Sequence, residues 1–196
     1  TNPVPGHRPS GRSAAGGVTV TQTLLDAERE QLAGLLEAVQ RCVYFLDASG
    51  RKPGWPLTAG LLEKQKKDVA LFESLAAINE IFAKLQDTLG AAMRHASILS
   101  GESGDTFLKV LGFYEKIGVL ESVSSWQLCR TARNLAAHDY ETEYVEIADH
   151  FNSLHELIPS LYRTAFRFVG YCQTALGVVS KQGDFLKDFQ AICAGQ

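Results

Sequence analysis

Tyr144, Ile147, Phe151, Leu154, Ile158, Leu161, Ala165, Phe168, Cys172 and Ala175 recur at alternating steps of three and four residues. A helix turns about 100° per residue, so these positions form one narrow stripe along a single long helix. A stripe this long and this narrow has to be buried by other helices lying nearly alongside it. Pro159 falls within it. Proline removes one backbone hydrogen bond, so a kink is expected there and not a break.

The same rhythm recurs upstream. Leu32, Leu35, Val39, Cys42 and Leu46 mark a first helix, which ends at the turn-rich "ASGRKPGWP". Leu71, Leu75, Ile78, Phe82, Leu85, Leu89, Ala92 and Ala96 mark a second. After "SGESGD", Ser103 or Asp105 is placed to cap a shorter helix bearing Phe107, Leu111 and Tyr114. "ESVSS" opens a fourth, from about Val123 to Ala137, and a short helix around Asp184 to Ile192 closes the chain. The expectation is all-α: an up-and-down bundle of about five to six helices with a kinked last long helix. Residues 1–20, rich in Pro, Gly and Ser, read as a flexible tail before a single domain over 21–196.

Composition narrows the function. A net charge of −3 argues against an extended nucleic-acid groove while leaving room for a small basic pocket. Cys42, Cys129, Cys172 and Cys193 form no CxxC pair and read as reduced, mostly buried thiols. No apolar run reaches the length of a membrane span and no signal-peptide core stands at the N-terminus, so the expectation is a soluble, cytoplasmic protein. His150 and His155, five apart, do not share a helical face, so a metal pair is not expected. His95 reads as a capping or surface group, and Arg163 and Arg167 as surface cations.

The stretch that carries chemistry is "RNLAAHDY", residues 133–140. Trp126, Arg130, Arg133 and Ala137 fall on one helical face. His138 lies five positions after Arg133, about 140° around an ideal helix, so the two converge only if the helix ends or bends near Ala137. Either cation alone is accounted for by the helix macrodipole, which favours positive charge at a C-terminus. Arg133, Asn134, His138 and Tyr140 together point to a site.

Arg133-x4-His138-x-Tyr140 resembles the signature of the HEPN superfamily, and more narrowly that of HepT-type toxins, over residues 23 to about 178. The resemblance implies a metal-independent endoribonuclease, without cofactor, acting as the toxin of a toxin–antitoxin pair. Arg133 and His138 from each protomer of a homodimer would face one cleft. Histidine can exchange a proton near neutral pH, and a guanidinium can grip phosphate oxygens and stabilise a phosphorane. Attack by the RNA's own 2′-hydroxyl would leave a 2′,3′-cyclic phosphate, with Asn134 as a polar helper. The resemblance further implies that Tyr140 receives AMP from a partner nucleotidyltransferase antitoxin, which silences the nuclease. The alternative is a non-catalytic binding subunit of a minimal nucleotidyltransferase. Glu141, Glu143, Glu146 and Asp149 follow the motif and would repel an RNA backbone, dock a partner, or exclude non-specific RNA.

Overall fold

The computed structural model describes residues 15–102, 105–135 and 143–195. Seven helices and no strand are found among them: α1 (Ala15–Gly50), α2 (Ala59–Lys64), α3 (Val69–Leu99), α4 (Phe107–Lys116), α5 (Val123–Leu135), α6 (Tyr144–Leu176) and α7 (Leu186–Ala194). The fold is an all-α bundle. No described helix is long and apolar enough to cross a membrane.

Interhelix bonds fix the chain directions. Glu28, early in α1, holds His95 near the end of α3, so these two helices run antiparallel. Asn79 meets His150 at the start of α3 and α6, and Ser100 meets Tyr171 at their ends, so that pair runs parallel. Arg133 near the end of α5 meets Ala83 of α3, and Trp126 near its start lies beside Gly90, so α5 runs antiparallel to α3. In chain order the four main helices α1, α3, α5 and α6 alternate up and down, with α2, α4 and α7 packed around them.

The stripes become the core, with one change of phase. Leu75, Ile78, Phe82, Leu85, Leu89, Ala92 and Ala96 of α3 are fully buried, as are Leu154, Ala165, Phe168 and Cys172 of α6. In α1 the buried seam is Leu32, Leu36, Val39, Val43 and Leu46, while Leu35 and Cys42 are only half-buried. Each expected residue stands beside an equally apolar neighbour, so the period alone could not choose between them. Ala175, at the end of the expected α6 stripe, is exposed.

Local chemistry sets the helix starts. The side chains of Thr58, Asp68, Thr106 and Ser122 each accept a backbone N–H three residues on, which satisfies one donor left open at a helix N-terminus. The cap of α4 is thus Thr106. Asp105 instead pairs with Lys109, and Ser103 lies outside the described residues. Pro159 sits inside a continuous α6, which closes on Gly177 at a φ of 65°, a left-handed turn that glycine adopts without steric cost. α1 begins at Ala15, inside the stretch expected as a tail, because extending a helix already formed needs no new nucleus.

His95 is no cap. Its Nδ1 meets the Glu28 carboxylate within hydrogen-bond distance, both side chains being 30% exposed. Arg163 pairs with Glu121 at 2.8 Å, which holds that carboxyl below its ordinary range. His150 faces Asn79, and His155 stacks on Trp55 with ring centroids 4.1 Å apart, so the two histidines serve separate neighbours.

Candidate anion-binding site

Arg133 occupies the last turn of α5, on the same face as Trp126 and Arg130. That face looks onto α3, and between the two helices lies a concave cavity of about 130 Å³. α5 contributes Trp126, Arg130 and Arg133. α3 contributes Gln86, Asp87, Gly90 and Arg94, and Phe107 at the start of α4 closes one side.

Packing and hydrogen bonds place several of the lining residues. Trp126 is 5% exposed and packs into the core, which anchors the start of α5. Gln86, 2% exposed, donates Nε2–H to the Trp126 carbonyl at 2.9 Å, tying α5 to α3, while its Oε1 has no partner among the described residues. Gly90 keeps the floor open: a Cβ there would come within 3.2 Å of the Phe107 ring. The Arg94 guanidinium lies over that ring at 4.2 Å, a cation–π contact that holds it beside the cavity.

Arg133 is the engaged member. Its Nη1 donates to the Ala83 carbonyl at 3.3 Å and to the Asp87 carboxylate. The arginine side chain is 20% exposed and that of Asp87 is 65% exposed. Arg94 and Arg130 have no carboxylate partner among the described residues. Three cations against one carboxylate leave the cavity two positive charges in excess, on a chain whose net charge is −3. A wall of planar donors with excess positive charge suits an oxyanion and not a metal cation. No cluster of three metal-ligating side chains occurs among the described residues.

Of the residues expected at the site, Arg133 lines the cavity. Asn134 follows it, exposed, and is not among the lining residues. His138 and Tyr140 lie outside the described residues, as do Ala137 and Glu141. Tyr144 is half-buried against the core, a packing role. Asp87, Arg94, Phe107 and Gln86 were not legible in the sequence, since nothing in their spacing links α3 to α5. Three of the four thiols are held protonated by burial, which pushes Cys129 up to about 11 and Cys172 and Cys193 up to about 12. No family model, no curated protein and no solved structure matches the chain.

Proposed function

We propose that this protein is a metal-independent endoribonuclease of the HEPN kind, acting as a homodimer and as the toxin of a toxin–antitoxin pair. The observation that supports the reading is the setting of Arg133. The arginine of the Arg-x4-His motif stands in an arginine-rich cavity, two residues before the last residue of α5 and five before His138.

In the proposed reaction His138 of one protomer takes the proton from a ribose 2′-hydroxyl, and that oxygen attacks the adjacent phosphorus. Arg133 stabilises the pentacovalent phosphorane by donating to its oxygens. The P–O5′ bond breaks, and the second protomer's His138 returns a proton to the leaving oxygen. The products are a 2′,3′-cyclic phosphate and a 5′-hydroxyl, and the scheme calls on no metal. Tyr140, two residues beyond His138, is the proposed acceptor of AMP from a nucleotidyltransferase antitoxin. The added phosphodiester charge would compete for Arg133.

A second reading has one observation in its favour. Arg133 already bridges α5 to α3 through Ala83 and Asp87, which is what a structural arginine in a non-catalytic binding subunit would do. One experiment separates the two. On the nuclease reading, wild-type protein cuts RNA in EDTA, while His138→Ala and Arg133→Ala do not, at unchanged helical content. If both variants cut as well as wild type, or if EDTA stops the cutting, the nuclease assignment is wrong.

A further inference from the structure

We propose that the cavity walled by Arg94, Arg130 and Arg133 is a phosphoryl-binding subsite. The three guanidiniums grip the ligand, and Phe107 and Gly90 set its size. Taking that ligand to be a strand phosphodiester of RNA rests on the nuclease reading; the phosphoryl chemistry does not.

Charge, volume and preorganisation point the same way. The excess of two positive charges matches a phosphate ion and more than neutralises the single charge of a phosphodiester. A cavity of about 130 Å³ has room for a phosphorus with its four oxygens. Pockets that hold a larger organic ligand start at about 300 Å³, so this one is of the size of the phosphoryl group itself. Arg94 is held ready by its stack on Phe107, and neither it nor Arg130 must leave a carboxylate among the described residues to bind. Arg133 can trade its bond to the exposed Asp87 for one to the ligand while keeping the Ala83 carbonyl. The larger neighbouring cavity, about 580 Å³, shares Arg94 and Phe107 but carries Glu102 and Asp105, so its charge is wrong for an anion.

Trp126 lines the cavity and makes it observable. In a Trp55→Phe background, where Trp126 is the sole tryptophan, inorganic phosphate should change the emission saturably at constant ionic strength. The double variant Arg94→Gln/Arg130→Gln should weaken that response at least tenfold. For a 2′-O-methyl oligoribonucleotide, which cannot be cut, its affinity should fall about tenfold and its salt dependence should flatten by roughly 0.7 per lost phosphate contact. Arg51→Gln, on an exposed arginine paired with Asp47, should behave as wild type. Arg130→Lys, which keeps the charge, should retain most of the phosphate response and guards against a folding defect in the double variant. If the phosphate response needs the arginines and oligonucleotide affinity does not, the subsite stands and its ligand is free phosphate. If the double variant binds both probes as wild type does, the proposal is overturned. A wild type that never cuts RNA, yet whose phosphate response depends on Arg94 and Arg130, refutes the nuclease and leaves the subsite standing.

Discussion

Asp87→Asn is the substitution whose sign is most informative. Asp87 shares Arg133 with the Ala83 carbonyl and is the one carboxylate lining the cavity. Asparagine keeps the shape and can still accept from Arg133 through Oδ1, so only the charge is removed. An anion seated against Arg133 would lie roughly 6 Å from Asp87. The repulsion there is about 0.7 kcal/mol at the dielectric of water and roughly 3 kcal/mol at an effective value near 20. The Asp87 side chain is 65% exposed, which places it toward the watery end, at about 1 kcal/mol. Asp87→Asn should therefore tighten binding of a non-cleavable oligoribonucleotide about fivefold. The lost ion pair costs little stability, about 0.2–1 kcal/mol for so exposed a pair. Fluorescence anisotropy at fixed salt, with a thermal melt on the same sample, reads both quantities. Binding weakened threefold or more at unchanged fold would refute the reasoning, because Asp87 would then be orienting Arg133 for the ligand and not competing with it.

Other consequences concern stability and reactivity. Burial against Trp55 depresses the His155 pKa below its ordinary 6.5, with Glu156 opposing. The unfolded chain therefore takes up that proton first as pH falls, so stability present above pH 6.5 is lost below it. His155→Phe, which keeps a stacked ring, should flatten the pH dependence of urea midpoints between pH 7 and 5. At pH 8 a disulfide-exchange reagent should reach half-buried Cys42 first. Cys129, Cys172 and Cys193, with thiolate fractions of about a thousandth or less, should react only on unfolding, which timed thiol titration with mass mapping can read. Gly177→Ala should cost about 1 kcal/mol by denaturant melt, because its φ of 65° strains any residue with a Cβ.

What the sequence could convey follows from how local each determinant is. The α6 stripe specified its helix because Phe151, Leu154, Leu161 and Phe168 repeat at helical spacing, and the apolar neighbours Tyr162 and Val169 are buried beside them and not in their place. In α1 the doublets Leu35-Leu36 and Cys42-Val43 offered two phases, and packing against α3 selected Leu36 and Val43. The six residues of α2 are too few for a period to show, and Thr58 was its only signal. At the site, Trp126, Arg130 and Arg133 share a face by spacing alone. Their partners Asp87, Arg94 and Phe107 reach them only through the docking of α3 and α4 on α5, a tertiary arrangement that no local pattern encodes.

The central claim, in-line attack by a ribose 2′-hydroxyl assisted by Arg133 and His138, meets its most direct test with a single-stranded DNA carrying one ribonucleotide. Wild-type protein in EDTA should cut once, on the 3′ side of that ribonucleotide, leaving a 2′,3′-cyclic phosphate. The all-DNA strand and the 2′-O-methyl version should stay intact, and His138→Ala should cut none of the three. Cleavage of the all-DNA strand at a comparable rate, or a product ending in a 3′-hydroxyl, would contradict the mechanism.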